Sequence, residues 1–453
     1  MKNATKTKQL ILLLVDILIL YFSLFLTIFL RFGRINAEIW ASHFAPFTFI
    51  FVIWIIVFYI SRLYDLHRSV TNLEFLQATA SAAMINGVIA IIYFYTSTKS
   101  TISPKTTLLV FIFLFYFLFL LWRYAFNKAL ISYLPKNNIA IIGLDKQVKE
   151  LVAELIRKPH LGYHISFIAT REENETANNI KIIHDFSLLK EMVIKNKISM
   201  LILNSDPRQS SELQQALFSC LPLGIKYFSL PHFYENILGQ VPLASLSQMW
   251  FLENLNEGDR PWFNWLKRFF DIIFSLGLLL TTAPLWPIIG IIIKLESRGE
   301  IFFKQKRLGK NSQPFTMIKF RTMSSEDNDF SPTSAEDKRI TRVGSLLRKT
   351  RVDELPQVIN ILLGDMSFIG PRPEQPKLAI ELEKVIPFYQ ERILVKPGVT
   401  GWDQVSGEYH SPSVEDSLKK LQYDLFYIKN RSLYLDLSIL LKTIATVLGR
   451  EGR

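Results

Sequence analysis

WLKRFFDIIFSLGLLLTTAPLWPIIGIIIKL, residues 265–295, decides the architecture of this 453-residue chain. Its apolar part is long enough for a helix to cross the ~30 Å hydrocarbon core of a bilayer. Pro284 and Pro287 fall near its middle, however, and a proline deletes a backbone donor and kinks the helix it interrupts. Two readings follow. A straight span would place everything after it on the far side of the membrane. A helix that enters, breaks at Ala283-Pro284 and returns would keep both flanks on one side, with the freed backbone groups satisfied locally. Lys267 and Arg268 before the element and Lys294 and Arg298 after it fit two ends on one cytoplasmic face, and the re-entrant reading stands ahead on that count.

Upstream, residues 10–30, 44–60, 75–97 and 107–122 form four more apolar runs, each about long enough to span, the fourth only just. The first outlasts the ~7–15-residue core of a signal peptide and lacks a small-x-small cleavage site, so it is expected to remain as an anchor. Lys2, Lys6, Lys8, Arg62, Arg68, Arg123, Lys128 and Lys136 flank the runs on one side, against Arg31, Arg34, Lys99 and Lys105 on the other. Eight against four puts both ends of this four-helix transmembrane bundle, residues 1–136, in the cytoplasm. Asp16 lies inside the first run, where a helix-to-helix hydrogen bond is the plain expectation and a functional role the alternative.

The whole composition agrees. At 49% hydrophobic and 13% aromatic residues, with a mean hydropathy of +0.21, the chain is too apolar for a soluble protein of its size. Cys220 stands alone, so no intrachain disulfide forms, and no Cys/His cluster has metal-ligand spacing; the soluble parts belong in a reducing compartment. A formal charge of +12 favours anionic partners, a phospholipid membrane or a phosphorylated substrate. No nucleic-acid partner is expected, because no zinc finger or RNP-like motif accompanies the charge.

Residues 137–252 change texture. Short apolar runs at 139–142, 165–169, 200–203 and 225–229 alternate with amphipathic stretches at 147–157, 186–195 and 211–220, which predicts a doubly wound, Rossmann-like α/β domain. The first strand is followed by a single glycine, Gly143, where a dinucleotide fingerprint needs three. No nucleotide is assigned there; a structural, regulatory or oligomerising role is expected. A polar linker, residues 253–264, leads into the last domain, residues 265–453.

Chemistry concentrates in that domain, which is expected to be a catalytic α/β domain carrying the re-entrant membrane helix. Residues 298–321 hold seven Lys/Arg and one acid and read as two short strands joined at Gly309-Lys310-Asn311. Lys319 and Arg321 alternate with Ile318 and Phe320, giving one basic and one buried strand face suited to phosphate. RVDELPQVINILLG, residues 351–364, then reads as a helix from Asp353 to Gly364. Asp at the cap and proline in the first turn open helices well, so an Asp-Glu-x-Pro start is most often capping. Arg348 and Arg351 on the approach, and Arg372 held in Gly370-Pro371-Arg372-Pro373, are more than a cap requires. Such a setting keeps a carboxylate ionised while drawing in a phosphate, as a carboxylate nucleophile needs.

FFKQKRLG (302–309), KFRTM (319–323), LRKTRVDELPQVINILLGDMSFIGPRP (347–373) and KPGVTGWDQV (396–405) together resemble the bacterial sugar transferases that prime glycan assembly. These are the polyprenyl-phosphate hexose-1-phosphate transferases, and the two N-terminal parts resemble their long, monotopic members of the undecaprenyl-phosphate galactose or glucose type. The resemblance implies transfer of a sugar-1-phosphate from a UDP-sugar to undecaprenyl phosphate at the bacterial inner membrane, with the catalytic domain facing the cytoplasm, UMP released and Mg2+ required. It implies Asp353 as the residue that carries a covalent phospho-sugar, Glu354 as the second member of the dyad, and both as the place of the metal. Lys319, Arg348 and Arg372 match basic residues near the diphosphate or the lipid phosphate, and Pro371 and Pro373 a motif on the uridine side; Lys396 opens a further family motif without an assigned role, and it and, from their charge and position alone, Arg321 and Arg351 are expected in the substrate site.

Three departures stand out. Ala283 replaces a serine before the breaking proline, although Thr281 and Thr282 are near enough to serve; Glu300 follows Gly299 where proline is expected; and Glu408 stands where arginine is common. The acidic loop 324–337 is a cover for the site or a solvated insertion. A homodimer through the non-catalytic half is expected. Two other functions keep their own signatures: an ordinary glycosyltransferase would release UDP and use Asp327-Asn328-Asp329, and a non-enzymatic scaffold or regulator of glycan assembly would release neither nucleotide.

Overall fold

The computed structural model describes residues 2–61, 63–64, 73–96, 105–133, 137–171, 180–204, 210–243, 246, 248–255, 260–324, 339–406 and 413–448. The segments 325–338 and 407–412, with Asp327-Asn328-Asp329, Glu408 and most of the acidic loop, lie outside them. The chain divides into two compact units, Met1–Leu238 and Gly239–Arg453.

Helices α1 (Lys2–Phe32), α2 (Ala37–Ile60), α3 (Leu73–Thr96) and α4 (Lys105–Tyr133) open the first unit. They are apolar around most of their circumference: Leu20 is buried while Leu18 is 66% exposed, and Phe115 is buried while Phe113 is 74% exposed. A helix hydrophobic all round belongs in a medium without water. Their shared interior is an aromatic column, Phe47, Trp54, Phe58, Phe111, Phe115 and Phe119, with neighbouring ring centroids 5.3–6.0 Å apart. Asp16 makes the expected helix-to-helix hydrogen bond, and its donor is a charged one: Arg123 of α4 at 2.6 Å, with both side chains buried. Removing either partner would leave a lone charge in an apolar interior.

A five-stranded parallel sheet follows, in the order β3-β2-β1-β4-β5. Its strands are β1 (Asn137–Ile142), β2 (Tyr163–Ala169), β3 (Lys181–Ile183), β4 (Met200–Leu203) and β5 (Lys226–Ser229). Helices α5 (Lys146–Arg157) and α8 (Leu230–Leu238) cover one face, burying Val148, Leu151 and Phe233 on Ile139 and Ile141. Helices α6 (Leu189–Lys195) and α7 (Ser211–Cys220) cover the other, burying Val193 and Leu217 on Ala140 and Ile142. Every connection crosses between parallel strands, as the alternating pattern predicts; the three-residue edge strand β3 is an addition to it. The Asp145 carboxylate accepts the Val148 N–H at 2.7 Å. It occupies with a negative charge the helix start where a dinucleotide phosphate would sit.

The second unit begins earlier than the expected boundary at residue 252. Helix α9 (Gln248–Asn254) puts Phe251 into the core of this unit, with Phe251 stacked on Phe388 at 4.1 Å. The Val241 N–H donates to the Gln422 carbonyl, and Arg260 donates to the carbonyls of Lys429 and Arg431. The described ends of the expected linker 253–264 are thus tied to this unit, Leu255 by burial in its core and Arg260 by its hydrogen bonds, while Trp262 stays exposed.

Helices α10 (Pro261–Thr282) and α11 (Trp286–Glu296) are separated by a 3-10 turn, Ala283–Leu285, at the expected break. The last α-helical bond there is the Ala283 N–H to the Leu279 carbonyl. The hydroxyls of Thr281 and Thr282 do not reach the carbonyl that Pro284 frees; they bond back to Gly277 and Leu278, one turn earlier. Both helices are fastened to the same body. Arg268 and Asp271 of α10 bond residues 361–368, while Trp286 and Ile293 of α11 pack on Phe320 and Glu296 accepts the Val343 N–H. The rest of the element is bare apolar surface, Leu280 75% and Ile291 61% exposed. Among the described residues, five helical elements are thus long and apolar enough to cross a membrane, and the chain is a membrane protein.

The remainder is small and layered. An antiparallel hairpin, β6 (Phe302–Leu308) and β7 (Pro314–Phe320), leads to α12 (Arg342–Lys349), a 3-10 turn Val352–Glu354 and α13 (Gln357–Leu363). Strands β8 (Ser367–Ile369) and β9 (Gly398–Thr400) pair in parallel around α14 (Pro376–Val385) and the 3-10 turn Tyr389–Ile393. Helices α15 (Trp402–Val405), α16 (Val414–Asn430) and α17 (Leu433–Leu448) close the unit.

Candidate active site

Asp353 does not cap a helix. After α12 the chain turns through Arg351 at φ +56°, a left-handed conformation that costs a residue with a side chain about 1 kcal/mol or more. It then runs through the 3-10 turn, and α13 begins only at Gln357, with Pro356 at its N-cap position. Asp353 is 8% exposed, and its Oδ1 has no hydrogen-bond partner among the described residues. A buried acceptor left unpaired is expensive, so the strained turn presents this carboxylate at a cost in stability. Gly364, at φ +95°, ends α13 where the sequence predicts.

Glu354 is the opposite case. Its Oε1 accepts from Lys319 Nζ at 3.0 Å and Arg372 Nη2 at 3.0 Å, with Arg351 Nη1 at 3.8 Å. Burial would raise its pKa, but Lys319, Arg372 and Arg351 together hold the carboxyl well below the ordinary glutamate range. Burial pushes the Asp353 carboxyl up, the Glu354 charge adds to the rise, and Lys319, Arg351 and Arg348 oppose it. Two adjacent carboxylates are thereby driven apart: one is a fixed anion locked into cations, the other a partly destabilised one with an open lone pair.

The buried residues behind these groups were not singled out in the sequence. Asn360 of α13, 1% exposed, donates to the Thr316 carbonyl at 2.8 Å and accepts the Ile318 N–H at 3.1 Å. It clamps β7 beside Lys319. Arg392 donates to the carbonyl of Arg372 at 3.0 Å, through Nε to Asp424 at 3.1 Å and to Glu374 at 3.2 Å. Arg307 donates to the Pro373 carbonyl at 3.0 Å. Burial would raise the Glu374 carboxyl, but Lys420 and Arg392 hold it down to about 2. The loop carrying Arg372 is thus bolted from behind by two arginines.

The same loop crosses the KPGVTG stretch backbone on backbone. Gly398 N–H donates to the Pro371 carbonyl and Gly370 N–H to the Thr400 carbonyl, both at 2.9 Å. A Cβ on Gly398 would sit 2.1 Å from the Gly370 nitrogen, and one on Gly401 2.4 Å from the Gly370 oxygen. Gly398→Ala is expected to destabilise the second unit by more than about 4 kcal/mol, read as loss of its thermal transition or of folded protein in detergent; a shift within a degree of wild type would contradict the crossing.

Not every expected residue joins the dyad. Arg321, 7% exposed, donates to the carbonyls of Ser297 at 2.8 Å and Arg298 at 3.0 Å, and so caps the end of α11. The face of β7 it shares with Lys319 is therefore not an open basic surface but is committed to partners within the protein. Lys396 lies at the far end of α13 from Asp353, where a Cβ on Gly364 would be 3.5 Å from both its Nζ and Arg268 Nη2. Arg348 holds Thr322 Oγ1 through Nε at 2.9 Å while still acting on Asp353 through its charge. Pro371 and Pro373 line, with Tyr389, a cleft of about 250 Å³ on their own side of the loop. No cluster of three or more His, Cys, Asp or Glu stands ready for a metal among the described residues.

An arginine-flanked carboxylate dyad on a small α/β body, with a broken apolar helix fastened beneath it, defines a class that sequence comparison identifies. Residues 262–450 match the family described as bacterial sugar transferase. The chain is 32% identical over 330 residues to UDP-glucose:undecaprenyl-phosphate glucose-1-phosphate transferase of Xanthomonas campestris, covering 69% of this chain and 67% of that one. It is 37% identical over 249 residues to UDP-N-acetylgalactosamine-undecaprenyl-phosphate N-acetylgalactosaminephosphotransferase of Aeromonas hydrophila, covering 54% and 58%. The sugar transferase EpsL of Bacillus subtilis matches over 191 residues at 40% identity, 41% of this chain and 89% of that one. The chain spans less than two thirds of the Aeromonas relative. It belongs to the bacterial sugar transferase family.

Proposed function

We propose that the protein transfers a hexose-1-phosphate from a UDP-sugar, UDP-glucose or UDP-galactose foremost, to undecaprenyl phosphate, releasing UMP, as the first membrane step of a polysaccharide. One observation carries the reading: Asp353 Oδ1 is buried and unbonded beside a Glu354 already saturated with cations. A carboxylate kept free at such cost is a nucleophile in waiting.

In the first step an Asp353 oxygen attacks the sugar-bearing phosphorus. An O–P bond forms, the bond from that phosphorus to the bridging oxygen breaks, and UMP leaves with the electron pair. In the second step an oxygen of undecaprenyl phosphate attacks the same phosphorus, the bond to Asp353 breaks, and the carboxylate returns. Each step is an in-line displacement. Dividing the reaction spares the site from holding two highly anionic substrates together. Arg372 and Lys319, oriented by Glu354, stand where phosphate oxygens gather charge, and Pro371 and Pro373 border the cleft suited to the nucleoside end.

The residues also fit magnesium. This ion binds through one or two carboxylates plus substrate phosphates and does not need a cage of protein ligands; the open Asp353 oxygen beside Glu354 is such a place. When bound it supplies positive charge to the diphosphate.

The membrane arrangement follows from the same residues. The four N-terminal helices span with both ends in the cytoplasm, which the distribution of Lys and Arg supports. The α10–α11 element is re-entrant, which the break at Ala283 and Pro284 and the anchoring of both halves to one body support. The catalytic unit then lies on the cytoplasmic face of the inner membrane.

Purified protein in nanodiscs, given magnesium, undecaprenyl phosphate and a panel of UDP-glucose, UDP-galactose and UDP-N-acetylgalactosamine, should release UMP from one donor and no UDP. Release of UDP would mean ordinary glycosyl transfer and overturn the reading, and no nucleotide from any donor would favour a scaffold.

A further inference from the structure

Beside the dyad runs a second cleft, of about 160 Å³, that the reaction as described leaves empty of purpose. Glu354 and Arg351 form its polar end. From there it passes between Leu278 of α10 and Val358 of α13, over Phe368 and Val405, to Thr443 and Thr446 of α17. Its volume is close to that of an engineered apolar protein cavity of about 150 Å³ that holds benzene. A five-carbon branched unit fits such a space.

The threonine hydroxyls of its walls are spent. Thr400 and Thr443 share a hydrogen bond of 2.7 Å, Thr443 also donates to the Ile439 carbonyl at 2.8 Å, and Thr446 donates to the Lys442 carbonyl at 3.0 Å. Gln404 Oε1 is the exception, a single buried acceptor without a hydrogen-bond donor among the described residues. A hexose, with a hydroxyl on nearly every carbon, would find too few partners here to replace its water. A hydrocarbon loses nothing. At the polar end the Arg351 side chain, 41% exposed, offers charge to a phosphate while its guanidinium stands 3.8 Å from Glu354. The helices forming opposite walls, α10 and α17, carry exposed apolar residues that continue the hydrocarbon surface, including Leu280 at 75% and Leu437 at 56%.

We propose that this groove receives the first isoprene unit of the acceptor polyprenyl phosphate, so that the lipid phosphate arrives beside Arg351 and the dyad with its tail already held. The proposal rests on the function read above and adds where the acceptor lies and what recognises its chain.

Leu278→Trp and, separately, Thr446→Phe would fill the groove from opposite walls. With full-length protein in nanodiscs, undecaprenyl phosphate is varied at saturating UDP-sugar, and then the reverse. Each variant should raise the KM for undecaprenyl phosphate tenfold or more, while kcat and the KM for UDP-sugar stay within twofold; the retained donor kinetics report an intact site. Should either bulky variant misfold, Leu278→Ala, which widens the groove, is expected to raise the same KM about threefold. An unchanged acceptor KM overturns the proposal, and so does a rise confined to the donor KM, which would place the sugar in the groove. A loss of kcat alone would mean a structural role and also overturn it. If the wild-type protein releases no UMP from any donor, the parent reading fails and takes this one with it. Normal wild-type turnover with unaffected variants would defeat the groove alone.

Discussion

Asp353→Asn should abolish UMP release, by roughly a thousandfold or more, and at the same time make the protein more stable at neutral pH. The first effect is chemical. An amide lacks the charge and the nucleophilic oxygen that the proposed phospho-sugar intermediate requires. The second follows from the raised pKa of Asp353, whose causes are burial and the Glu354 charge. An acid whose folded pKa lies above its unfolded value destabilises the fold when ionised. That cost is present at neutral pH and disappears as pH falls through the raised pKa. Asparagine removes it at once. The apparent melting temperature of Asp353→Asn in detergent should therefore exceed that of wild type at pH 7 and converge with it in acid. A lower melting temperature at pH 7 would contradict the account of Asp353 as a carboxylate maintained against stability.

Glu354→Gln should do the reverse. Lys319, Arg372 and Arg351 would then face a neutral amide, and uncompensated buried charge costs about 3 kcal/mol. The exposed parts of Arg351 and Arg372, 41% and 34% of their side chains, argue against a larger figure. Here the folded pKa is depressed, so the stabilisation by Glu354 is fully present above the ordinary value of 4.5 and drains away as pH falls below it. The difference between wild type and Glu354→Gln should thus be largest near neutrality and shrink below about pH 4.5. Activity should fall as well, because Lys319 and Arg372 lose the anion that orients them. Two neighbouring carboxylates would then give stability changes of opposite sign on neutralisation, and a common sign would defeat the division of roles between them.

Much of this was legible in the sequence because it rests on patterns. The five apolar elements follow from hydropathy and length, the doubly wound sheet from alternation, and the break at Ala283 and Pro284 from the chemistry of proline. The dyad and its arginines were visible as an excess of charge over what a cap needs. What escaped was long-range. Nothing local announces that Arg392 reaches from the turn after α14 to the carbonyl of Arg372, or that Arg321 is spent on the end of α11. A signal did exist for Asn360, a lone amide within the apolar run VINILL, where a buried polar group must find partners. The glycines of KPGVTG carried a similar hint, yet the strand they cross lies almost thirty residues away in the chain. Asp353 as a helix start was a reasonable expectation overturned by one dihedral angle, the left-handed turn at Arg351.

The attachment of α10 to α13 has a further consequence. Arg268 bonds the carbonyls of Ile361 and Leu362, and Asp271 bonds Ser367 and the Phe368 N–H. The helix proposed to enter the bilayer is in this way rigidly coupled to the short helix that follows Asp353, the proposed nucleophile. If α10 lies in lipid, the height of the reacting carboxylate above the hydrocarbon is set by a strut, not by a tether. The proposed lipid acceptor would then need only to diffuse sideways to meet it, a search in two dimensions at fixed depth, and a thinner or thicker membrane would move the proposed chemistry up or down with that lipid.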